Sequence, residues 1–67
     1  MKNNIAIFRK ELGMTQKQLA HAIGMSVEDL NAIENNTLEP TLIDANNIVK
    51  ALKKEYIAEV FMLKELD

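Results

Sequence analysis

Three times along the chain a Ser or Thr stands three residues ahead of a Gln or Asp, at the head of an apolar stripe. The pairs are Thr15 with Gln18, Ser26 with Asp29 and Thr41 with Asp44. A hydroxyl placed there accepts a hydrogen bond from one of the free N–H groups at a helix start, and the polar residue three positions on can return one to the backbone. Helix starts this closely spaced leave room only for short helices. Nothing else in the sequence limits the fold as strongly.

The apolar residues agree with those starts, recurring at helical spacing throughout. Ile5, Phe8 and Leu12 fall on one face of a first helix, which Gly13 ends. Leu19, Ala20 and Ile23 line a second, ended by Gly24, and Leu30 and Ile33 face inward on a third. Residues 35–40 read as a loop, in which Asn36 tolerates positive φ nearly as well as glycine does. Leu42, Ala45, Ile48, Val49 and Leu52 form the stripe of a fourth helix. Tyr56, Ile57, Val60, Phe61, Met62, Leu63 and Leu66 mark a last helix over about 55–66. Its break from the fourth lies near Lys53-Lys54-Glu55, where no Gly or Pro stands. No stretch alternates apolar and polar, so the expected fold is all-α, four to five short helices in a single domain over 1–67. Helices this short are marginal alone in water, so the whole chain is the folding unit.

Size sharpens that requirement. A chain of 67 residues buries only about 60% of its unfolded surface. It has no cysteine, so neither a disulfide nor a thiolate metal site adds stability. With 48% apolar and 27% charged residues it is globular rather than disordered, and with 4% aromatics its core is expected to be aliphatic. No apolar run approaches the roughly 20 residues of a membrane span. The amino end lacks a secretory h-region, so a cytoplasmic protein is expected. His21, the only histidine, has no second ligand or nucleophile spaced to join it, and glycine-rich phosphate loops are absent. Neither an enzyme nor a cofactor or metal site is expected.

From Thr15 to Asn35 the chain reads as two capped helices joined by a tight turn at Gly24. Ala20 is small where helices cross closely, and Met25, Leu30 and Ile33 fill the angle between them. These residues resemble the helix-turn-helix of the Cro and lambdoid-repressor family, the xenobiotic-response-element type. Thr15, Gln16, Leu19 and Ala20 match its Thr-Gln-x-x-Leu-Ala run, and Gly24 and Ser26 its Gly-x-Ser turn. Ile33, Glu34 and Asn35 match Ile-Glu-Asn-Gly, with Asn36 in place of the glycine. Pro40, Thr41 and Leu42 match the following helix start. The resemblance spans roughly Ile5 to Leu52 and implies a lambda repressor-like domain. It also implies an ion pair between Arg9 and Glu34, the alternative for Arg9 being a phosphate contact.

The resemblance further implies that the third helix enters the major groove of double-stranded DNA. Carried over by position, Ser26, Val27, Glu28 and Ala32 become the base-reading residues, and Asn31 joins them as a DNA contact. The phosphate side falls to Gln16, Lys17, Asp29, Asn35, Asn36 and Thr37, with Lys2 and Lys10 as helpers. Charge pulls the other way. The chain is net −2, and from Thr15 to Pro40 one lysine faces four carboxylates, leaving −3. Affinity for DNA comes largely from Lys and Arg contacts to phosphate. Two functions therefore stand side by side. One is a small repressor of phage or mobile-element type that acts by occupying an operator. The other is a degenerate helix-turn-helix whose acidic face engages a protein, as an anti-repressor, an antitoxin-like module or a DNA mimic. Glu28 and Asp29 also suit the positive end of a helix dipole, and a Glu can accept a hydrogen bond from cytosine N4.

The tail holds more apolar residues than one helix face needs. Tyr56, Val60, Phe61 and Leu63 are therefore expected to form part of a homodimer contact, since small domains often gain stability by association. Lys50, Lys53 and Lys54 read as a solvated helix face.

Overall fold

Thr15, Ser26 and Thr41 each cap a helix in the computed structural model, which describes residues 3–61. Their hydroxyls accept hydrogen bonds from the N–H groups of Gln18 at 3.0 Å, Asp29 at 3.0 Å and Asp44 at 3.1 Å. At Thr15 the box is closed, because Gln18 Oε1 accepts from the Thr15 N–H at 2.8 Å. The helices are α1 (Ile5–Glu11), α2 (Gln16–Ile23), α3 (Val27–Glu34), α4 (Leu42–Ala51) and the single turn α5 (Ile57–Val60). Among the described residues there is no named strand, and no helix is long and apolar enough to cross a membrane.

The first four helices end alike. In each, the first or second residue beyond the helix takes a left-handed conformation, and two backbone bonds close the turn. At α1 they run from Gly13 N to Lys10 O and from Met14 N to Arg9 O; at α2, from Gly24 N to His21 O and from Met25 N to Ala20 O. The α3 and α4 closures use Asn36 and Lys53, with φ of 63° and 60°. Asn36 N donates to Ile33 O and Thr37 N to Ala32 O, while Lys53 N donates to Lys50 O and Lys54 N to Val49 O. A lysine is costly in that conformation, which is why no residue type marked the end of α4 in advance.

The buried residues form one cluster drawn from every helix. Ile5, Leu19, Ala20, Leu30, Ile33, Ala45, Ile48, Val49, Leu52, Val60 and Phe61 make its centre. Phe8, Met14, Ile23, Met25, Ala51 and Ile57 pack around it, half-buried. The core is aliphatic with one exception: Phe61 is the largest of its fully buried side chains.

Three sequence expectations change here. Leu12 and Leu42 were placed on buried stripes; they are 41% and 75% exposed. Helical spacing fixes the angular position of a side chain around its axis. It does not say whether another element stands at that height. The last helix, expected over about 55–66, is within the described residues the single turn α5, which stops at Val60, and Phe61 takes extended backbone (φ −106°, ψ 120°). Phe61 instead pairs with Asn3 in an isolated antiparallel bridge, beside a hydrogen bond from Asn4 N to Val60 O at 2.6 Å. Finally, Lys53 and Lys54 lie past the end of α4, and Lys54 Nζ sits 4.3 Å from the centre of the Phe8 ring rather than on a solvated helix face.

Candidate nucleic-acid interface

The inner side of α3 is anchored and its outer side is open. Leu30 and Ile33 are buried, whereas Val27, Glu28, Asp29, Asn31 and Asn35 are exposed. Ser26 at the cap is exposed too, and Ala32 is half-buried against the molecule. Gly24 and the closing bonds of α2 turn the chain into Ser26, so the start of α3 projects from the surface. Glu28 and Asp29 occupy its first turn, where negative charge meets the positive end of the helix dipole.

A buried ion pair holds the far end of α3. Arg9 Nε donates to Glu34 Oε2 at 3.1 Å and Arg9 Nη2 to Glu34 Oε1 at 3.2 Å. The two side chains are 10% and 7% exposed. Arg9 Nη1 also donates to Met14 O at 2.9 Å. One guanidinium thus ties α1, the turn before α2 and the end of α3 together.

Gln16 extends this network to the surface. Its Nε2 donates to Glu34 Oε1 and to Asn31 Oδ1, both at 3.1 Å. The first residue of α2 is thereby fixed against the middle of α3. Asn3, which carried no sequence signal, secures the end of α3 from the other side. Its Nδ2 donates to Ile33 O at 2.9 Å and to Asn36 Oδ1 at 3.2 Å. Thr37 Oγ1 donates to Ala32 O at 3.1 Å. Gln16, Asn36 and Thr37, placed by sequence on the phosphate side, therefore each hold the frame of α3. Lys17 and Lys10 are exposed, and Lys2 lies outside the described residues.

The residues expected at a dimer contact separate. Val60 and Phe61 are 0% and 1% exposed inside the core, so their side chains present nothing to a second copy. The short α5 and the bridge to Asn3 turn them inward. Tyr56 is 66% exposed, and Leu63 lies outside the described residues, as do Met62 and Leu66. Among the described residues, the most exposed large apolar side chains are on α4, Leu42 at 75% and Ile43 at 73%.

This arrangement of α2, turn and α3, braced from α1, is matched by a helix-turn-helix family model over residues 5–58. The chain belongs to the helix-turn-helix family. Within it, the chain is 40% identical over 65 residues to an uncharacterized HTH-type transcriptional regulator of Methanothermobacter thermautotrophicus, covering 97% of this chain and 94% of that one. It is 32% identical over 65 residues to the uncharacterized HTH-type transcriptional regulator YgzD of Bacillus subtilis, covering 97% of each. The family match reaches from Ile5 to Ala58 and so takes in the whole Arg9, Gln16, Asn31 and Glu34 network.

Proposed function

We propose that the chain is a small DNA-binding transcriptional regulator. It acts as a homodimer and represses by occupying an operator, in the manner of phage and mobile-element repressors. The observation that carries this reading is the division of α3, with Leu30 and Ile33 anchored and Val27, Glu28, Asn31 and Asn35 open on a helix fixed at both ends. A helix held this way fits a major groove, with the start of α3 over the base edges and the start of α2 beside the phosphates. The names of the relatives, both transcriptional regulators, support the same reading. Two copies would place their α3 helices one DNA turn apart, about 34 Å. Leu42, Ile43 and Tyr56, the most exposed of the large apolar side chains among the described residues, are ones from which such a dimer contact can be drawn.

The experiment is retention of a random duplex pool by the purified protein at low salt, followed by sequencing. Enrichment of a two-fold symmetric motif supports an operator reader. A folded sample that enriches nothing overturns it.

A second reading draws on the exposed carboxylates of Glu28 and Asp29, which stand where a polyanion would approach. On it, the acidic start of α3 engages a basic protein instead of an operator. Replacing both by Gln and Ser separates the two: stronger duplex binding favours DNA, and loss of capture of a basic protein favours the partner.

A further inference from the structure

The inner side of α4 buries Ala45, Ile48 and Val49, and its outer side leaves Ile43, Asn46, Asn47 and Lys50 exposed. At roughly 100° per residue, Ile43 and Lys50 share one line along the helix, two turns apart, with Asn46 and Asn47 on either side of it. The chemistry changes in order along that line. The start is apolar and acidic, with Leu42 and Ile43 open and Asp44 in the first turn. The middle is two amides. The end is basic, with Lys50 and then Lys53. Beside Lys50 an open hollow of about 440 Å³ lies between α2 and α4, lined by Ala22, Ile23, Asn47, Lys50 and Ala51.

We propose that this face seats a second copy of the chain, the two α4 helices lying antiparallel about a two-fold axis between Asn46 and Asn47. The proposal rests on the homodimer reading above and assigns the face that makes the contact. Turned end for end, the face is complementary to itself, and a two-fold axis makes every contact twice. Ile43 of one copy meets the hollow beside Lys50 of the other, where the lysine stem covers it and leaves the ammonium in water. Asp44 comes level with Lys50 of the second copy, so opposite charges meet at both ends. At the axis each asparagine faces its own copy, and an amide, having both a donor and an acceptor, can pair with itself. A uniformly acidic or basic partner would meet its own sign at one end of α4. A contact built on one ten-residue helix, about 15 Å long, is small. The pair is therefore expected to dissociate on dilution.

The test is sedimentation equilibrium of the full chain at low salt over a range of concentrations, with each variant checked for folding by its thermal transition. Ile43 is exposed, so Ile43→Gln keeps the fold. It is expected to weaken the dimer about tenfold or more, because an apolar side chain is lost from the contact in both copies. Asp44→Lys and Lys50→Glu should each weaken it about threefold to tenfold. The two together exchange the charges and should restore it. The chain has no cysteine, so Asn46→Cys supplies one thiol per copy beside the axis. Mild oxidation should link two copies of that variant and not of Glu11→Cys on α1. A dimer that Ile43→Gln and Lys50→Glu leave unchanged, or a combined charge variant no tighter than the single ones, overturns the proposal while the homodimer reading stands. A full chain that stays monomeric at every concentration, alone and with duplex it retains, overturns both.

Discussion

Arg9 grips Glu34 with two parallel hydrogen bonds, 3.1 Å from Nε to Oε2 and 3.2 Å from Nη2 to Oε1, with both side chains nearly out of water. The pair joins α1 to the last turn of α3, so the angle of α3 depends on it. Arg9→Ala would leave a carboxylate buried without its partner, at a cost of about 3–5 kcal/mol. Domains of this kind have a total stability of only about 5–15 kcal/mol, so urea denaturation should show most of the margin gone. Arg9→Met combined with Glu34→Leu removes both charges and should cost far less. An equal loss in the single and double variants would show that the pair itself is not what matters.

Lys53 holds a left-handed conformation with φ of 60° at the end of α4. That conformation costs an L-residue roughly 1–2 kcal/mol, part of which glycine returns through its looser unfolded chain. Lys53→Gly is therefore expected to stabilise the protein by about 0.5–1 kcal/mol. The midpoint of denaturant unfolding should rise with no change in slope.

Phe61 is 1% exposed and belongs to the core of its own chain. Phe61→Ala should cost about 3–5 kcal/mol, and the loss should not vary with protein concentration. Leu42→Gln with Ile43→Gln should leave monomer stability within about 0.5 kcal/mol, as surface changes do. Sedimentation of the two variants tells core from contact: if the proposed dimer uses α4, only the second lowers association.

Lys17 is the only cation between Thr15 and Pro40. Binding to duplex DNA should therefore depend weakly on salt, since each neutralised phosphate contributes a slope of only about −0.9. Glu28→Gln with Asp29→Ser should raise duplex affinity and lower stability by about 0.3–1 kcal/mol for each carboxylate removed from the helix dipole. Titrations at several salt concentrations, beside a melting curve, measure both effects. A duplex affinity unchanged by the double substitution would place the start of α3 away from DNA.

The helix starts were legible because the caps are local. Thr15, Ser26 and Thr41 bond within three residues of themselves, so short-range patterns suffice. The ends at Gly13 and Gly24 were legible for the same reason. The end of α4 was not, because Lys53 adopts a glycine-like conformation without being glycine. In the candidate site, the exposed side of α3 follows from periodicity once Leu30 and Ile33 are placed inside. The bond from Gln16 to Asn31 spans 15 residues and no local pattern carries it.

The chain's ends show the same divide. The apolar tail was plain in the sequence, but its partner was not. Asn3 and Phe61 are 58 positions apart, and only the folded chain brings them into a backbone bridge that turns Val60 and Phe61 inward. Sequence by itself determined that this protein is a set of short capped helices around a helix-turn-helix, because caps and periodicity act over three or four residues. The tertiary structure alone decided which apolar residues are covered, where α5 ends and which group of Asn31 meets Gln16. Each of those depends on groups that meet only after the chain has closed on itself.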